Sequence, residues 1–127
     1  MNKIVGEYFD YELRAGFVEV RYKVKLITLD IAKESVRIRK EISKGNSYPV
    51  LVKGALVSKF DKESRDYLSS EEATDGVLAG GILVRSVFQA TLVNFFLKVT
   101  RPKIPAKLFT KEEDIINWFD ELGLREK

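Results

Sequence analysis

Four residues have types and positions that could hold an anion: Lys53, Arg85, Ser86 and Lys111. Lys53 interrupts a strand-like apolar run in its C-terminal half. Arg85-Ser86 and Phe109-Thr110-Lys111 stand where strand-like runs pass into helices. In open α/β sheets ligands gather beyond the carboxyl ends of the strands, where helix N-termini present free N–H groups. Three cations and at least two helix N-termini would then share one rim suited to an anion.

Other chemistries are poorly served. The chain of 127 residues contains no cysteine and no histidine. Disulfides, thiolate nucleophiles, Ser–His relays and the common zinc sites are therefore absent. A catalyst would have to work with Asp, Glu, Lys, Tyr or Ser alone, so a non-enzyme is expected, with no cofactor. The carboxylate pairs Glu71-Glu72 and Glu112-Glu113 read as surface and helix-start residues. Gly80-Gly81 precedes an apolar strand instead of following one, so it is not a phosphate loop; it reads as allowing close backbone packing.

A second set of residues is apolar. Phe88, Leu92, Phe95 and Phe96 fall in a predicted helix from Val87 to Lys98, whose apolar arc is about twice the roughly 100° needed to cover one side of a sheet. Only Thr91, Asn94 and Lys98, beside Val87, form a polar strip. The excess is a candidate interface for a partner subunit, with a homodimer expected, or a face for a small apolar ligand. Arg39 lies inside the apolar arc of another predicted helix. An unpaired buried guanidinium would cost several kcal/mol, so Arg39 is expected to snorkel to water near the helix C-terminus.

The elements that must position these residues can be read in order. Tyr8–Leu13 and Phe17–Lys23 are β-prone and flank Gly16, which predicts an opening antiparallel hairpin. A helix follows over about Ile31–Lys44, with Ile31, Ser35, Ile38 and Ile42 along one side and Gly45-Asn46 as its stop. Pro49–Val57 reads as a buried strand and Asp61–Leu68 as a short helix, with Glu71–Asp75 a surface connector. Ser86/Gln89 and Thr110/Glu113 have capping-box spacing and open the last two helices. The last carries Ile115, Trp118, Phe119 and Leu122 as one stripe. The order is a hairpin followed by βα repeats, an α/β fold with a mixed, mostly parallel sheet and four helices.

Net charge is +3 and no Lys/Arg block is interleaved with aromatics, so nucleic acid is not an expected partner. No apolar run approaches the ~20 residues of a membrane span. Without a signal-like N-terminus or an internal boundary, the expectation is one cytoplasmic domain over residues 1–127.

The run Tyr48–Leu122 resembles a STAS-type domain, of the superfamily that includes anti-sigma-factor antagonists. The likeness lies in Val50-Leu51-Val52-Lys53-Gly54, Ala79–Val84, Asn94-Phe95-Phe96-Leu97, the proline-flanked Pro102/Pro105–Phe109 and Trp118. It implies a STAS-like sheet and a regulatory module that docks to another protein. The antagonists carry a phosphorylatable serine loop near the position of Asp61-Lys62-Glu63-Ser64; here that segment has no glycine, and the serine switch is not carried over. Protein docking is the favoured expectation, and a carrier or sensor of a small apolar or amphipathic, lipid-like ligand is the alternative.

Overall fold

Alternation organises the first strands. The structure, a computed structural model, describes residues 2–125. Strands β1 (Lys3–Val5), β2 (Phe9–Arg14) and β3 (Phe17–Tyr22) form an antiparallel meander. Phe9 and Tyr11 of β2 and Val18, Val20 and Tyr22 of β3 are buried on one face, with Tyr11 opposite Val20. Asp10, Glu12, Arg14, Glu19 and Arg21 fill the alternate positions, as a strand period of two requires. The tight turn uses Gly16 at φ 82°, in the left-handed region where a Cβ would be strained.

The chain then passes through a two-residue strand, β4 (Leu26–Ile27), into helix α1 (Leu29–Ser43). The Thr28 hydroxyl caps α1 by accepting from the Ile31 N–H at 3.3 Å. Beyond α1 come β5 (Tyr48–Lys53), β6 (Lys59–Phe60), α2 (Lys62–Leu68), α3 (Glu71–Thr74), β7 (Val77–Leu83), α4 (Val87–Thr100), β8 (Ala106–Phe109) and α5 (Glu112–Glu121). The main sheet has the order β1-β2-β3-β5-β7-β8, antiparallel up to β3 and parallel from there on. Strands β4 and β6 pair with each other, parallel, apart from it.

Two cores lie on opposite faces of this one sheet. Val50 and Val52 point with Tyr11 and Val20 towards α1, α2 and α4. Leu51, between them, points the other way and packs with Phe17, Ala79, Leu83, Ile115 and Phe119 beneath α5. Gly81 lets α5 approach: a Cβ there would stand 2.3 Å from Ile115 Cγ2.

Several expected bounds change. The segment Glu71–Asp75 contains the short helix α3, capped by Ser70, which makes five helices among the described residues where four were expected. The strand expected to reach Val57 ends at Lys53, because residues 54–57 turn away to be held by Gln89. The Thr110/Glu113 capping box does not form. Lys111 is the N-cap of α5 and supplies no side-chain cap.

Candidate functional site

A cavity of about 190 Å³ lies between the sheet and the helices α1, α2, α3 and α4. Its floor is Val20, Val50, Val52, Gly80 and Ile82, and its roof is Leu92, Val93, Phe96 and Leu97 of α4. Gly80 contributes directly to the space, since a Cβ built there meets nothing within 4 Å. The adjacent glycines thus do different work: Gly81 admits a helix on one face, and Gly80 leaves room on the other.

Helix α4 is held over this space by its first turn. Ser86 Oγ accepts from the Gln89 N–H at 3.1 Å, and Gln89 Oε1 accepts from the Arg85 N–H at 2.9 Å. The reciprocal bond therefore falls one residue earlier than a simple capping box has it. Gln89 Nε2 donates towards the carbonyls of Gly54, Ala55 and Val57 at 2.8, 3.1 and 3.1 Å. One buried amide thereby ties the α4 start to the loop after β5.

The helix divides the four aromatic and aliphatic residues singled out in its sequence. Leu92 and Phe96 face the cavity, and the Phe96 ring packs on Phe60 with centroids 5.2 Å apart. Phe88 and Phe95 face outward at 61% and 50% exposure, beside Val87 at 85%. Phe95 lies under the Arg65 guanidinium, 5.3 Å from its ring centroid.

The α1 side of the cavity is polar. Tyr11 and Tyr22 place both phenols against Ser35 Oγ at 2.8 Å each. Burial pushes both phenol pKa values up, so the ring hydroxyls stay neutral and protonated. Arg39 also lines the cavity. It does not snorkel: it is 4% exposed, and its Nη2 donates to the carbonyls of Ala73 at 2.8 Å and Asp75 at 3.0 Å. Burial lowers its pKa, opposed by Tyr11, Asp75 and Tyr22; a guanidinium stays charged all the same. Sequence reasoning missed this cluster, although Ser35 in the apolar stripe of α1 and two tyrosines on inward β positions were its signal.

The anion rim is reorganised by ion pairs. The parallel register sets Val52 beside Ile82 and Leu83 beside Phe109, so Lys53, Arg85 and Lys111 follow strand ends on one edge of the sheet. Lys53 Nζ, however, lies 2.5 Å from Glu112 Oε1 and 3.3 Å from Glu19 Oε1. Arg14 Nη1 bridges the same two carboxylates at 2.7 and 3.2 Å. The Lys53 charge is therefore already matched, which takes one of the three cations out of the expected rim. Arg85 and Lys111 are exposed and pair with no carboxylate among the described residues, and Ser86 is committed to its cap.

Ser64 lies in the first turn of α2, fully buried, with its hydroxyl donating towards the carbonyls of Ile27 at 2.8 Å and Asp61 at 2.9 Å. Among the described residues, no acidic cluster is placed to hold a metal ion, and no helix is long and apolar enough to cross a membrane.

Residues 11–122 match the model of a family described as Domain of unknown function (DUF7793). The chain belongs to that family. The DUF7793 chain is also similar to a solved structure, that of an uncharacterised protein of the DUF3478 family with a SpoIIAA-like fold from Shewanella loihica PV-4. The two share 10% identity and superpose with a TM-score of 0.63 over 87% of this chain and 90% of that one. At that identity the likeness shows the fold alone: the DUF7793 chain has a SpoIIAA-like, that is STAS-like, fold, as its sequence resemblance implied. No curated protein matches it.

Proposed function

We propose that this DUF7793 domain is a non-catalytic, STAS-like binding module whose cavity beneath α4 takes a small amphipathic molecule. The observation that carries the reading is the 190 Å³ space, apolar over most of its wall, with a few polar groups that include Arg39 and the Tyr11–Ser35–Tyr22 hydroxyls. An apolar cavity of ~150 Å³ is enough for benzene. By the same measure this one suits a molecule of about eight non-hydrogen atoms.

Gly80 supplies the test. It sits in a strand without a positive φ, so valine is compatible with its backbone and has the better β propensity. Gly80→Val should fold with undiminished stability while filling part of the cavity. Binding of octan-1-ol, followed by NMR shifts of cavity residues, is expected to weaken about tenfold, roughly the 1.4 kcal/mol of two or fewer lost methylene contacts. Unchanged binding in the variant would place the probe elsewhere and remove the reading.

Docking of a partner protein is the second reading, and the outward exposure of Val87, Phe88 and Phe95 favours it. Native mass spectrometry of protein from its host separates the two. A co-purifying small mass supports the cavity, whereas a stoichiometric second chain without one supports docking.

A further inference from the structure

Charge balance inside the cavity narrows the ligand class. Two cations line the cavity: Lys53 is matched by Glu19 and Glu112, whereas Arg39 is buried and its two hydrogen-bond acceptors are neutral carbonyls. Among the described residues no carboxylate lies within 4 Å of it. The Asp75 side chain is 82% exposed and lies 4.0 Å from Lys40 instead. The titratable groups that face Arg39 are the phenols of Tyr11 and Tyr22 from the sheet and Tyr67 from α2, with the Asp75 carboxylate beyond α3. Those phenols are neutral and the Asp75 carboxylate is exposed and acts only at longer range, so the guanidinium has no ion-paired counter-charge inside the cavity.

Donors are in surplus at the same end. Nε and Nη1 of Arg39 carry three N–H groups. They have no hydrogen-bond partner among the described residues. The Tyr11–Ser35–Tyr22 chain has three hydroxyl protons and two hydrogen bonds, so every orientation leaves one O–H unused. Acceptors are what this end lacks, and an acceptor that carries one negative charge supplies both deficits.

We infer that the ligand is an amphipathic monoanion, a carboxylate whose head lies between Arg39 and the Tyr11–Ser35–Tyr22 hydroxyls and whose apolar chain runs beneath α4. This rests on the cavity-binding proposal above. A carboxylate presents two oxygens with about four lone-pair sites, matching the guanidinium edge and one hydroxyl. A dianionic phosphate monoester would exchange one unbalanced buried charge for another, which a low-dielectric site penalises. Leu92, Val93 and Phe96 of α4 give the cavity an apolar wall against which an alkyl chain replaces nothing polar.

The test uses the full chain with octanoate, octan-1-ol, octylamine and octyl phosphate, titrated by calorimetry and NMR. Octanoate is expected to bind at least about tenfold more tightly than octan-1-ol, as one charge-assisted contact provides. Octylamine should be the weakest, and Arg39→Met should erase the preference while keeping octan-1-ol binding. Should that variant fail to fold, the wild type still decides. The carboxyl carbon of bound [1-¹³C]octanoate should stay ionised as the pH is lowered through the range where the free acid titrates. Equal affinity for octanoate and octan-1-ol, or a bound carboxyl that titrates like the free acid, overturns the inference and leaves the cavity reading intact. Tighter binding of octyl phosphate overturns the choice of carboxylate. If none of the four binds, the cavity reading itself fails, and this inference with it.

Discussion

Lys53 shows how one residue changes meaning once its neighbours are known. From its position it is a free cation at a strand end. In the structure it joins Arg14 in a bridge between Glu19 and Glu112. The partners come from β2, β3, β5 and α5, and no local pattern brings four such elements together. The type and edge of Lys53 were legible in the sequence; its partner was not. Glu112 carries a testable trace of the bridge. The hydrogen bond from Lys53 holds its carboxyl below the ordinary carboxylate value of 4.5, against burial and with help from Arg14. Because the folded pKa is the lower one, the unfolded chain takes up the proton first. The contribution is complete above about pH 4.5 and is lost as the pH falls through the folded value. Glu112→Gln should therefore lower the unfolding free energy measured by urea titration at pH 7, by about 1 kcal/mol or less because the side chain is a third exposed. The difference from wild type should shrink towards pH 3.

Elements with a long period were the easiest to anticipate. The hairpin, α1, α4 and α5 all stand where alternation or a 3.6-residue stripe put them, because those patterns extend over six residues or more. The strands β4 and β6 have two residues each and β1 has three, too few for any period to register. The double-sided apolarity of α4 was also legible, but its division was not. Which of Phe88, Leu92, Phe95 and Phe96 turns inward depends on the cavity beneath them, and that depends on Gly80 in another element. The glycine pair gives the element-scale prediction. Gly81→Ala places a methyl against Ile115 and should cost about 1–3 kcal/mol as α5 is pushed off the sheet. Gly80→Ala, with open space ahead of it, should stay within about 0.5 kcal/mol of wild type. Urea midpoints of the two variants compare them directly.

At the scale of the molecule, β5 belongs to both cores, sending Val50 to one face and Leu51 to the other from the middle of the sheet. Neither half can come apart without stripping one side of this strand. Amide hydrogen exchange should make that visible. The N–H groups of β5 should be released only when the whole chain opens, and their exchange free energy should equal that of global unfolding. Helix α4 has only two buried residues, Gln89 and Val93, and should exchange through smaller openings that leave β5 protected. If the amides of α4 and β5 exchange with one common free energy, the helix is no separate unit. A slower rate at α4 alone on adding octanoate would mean that a guest beneath it makes this helix part of the sheet's cooperative block.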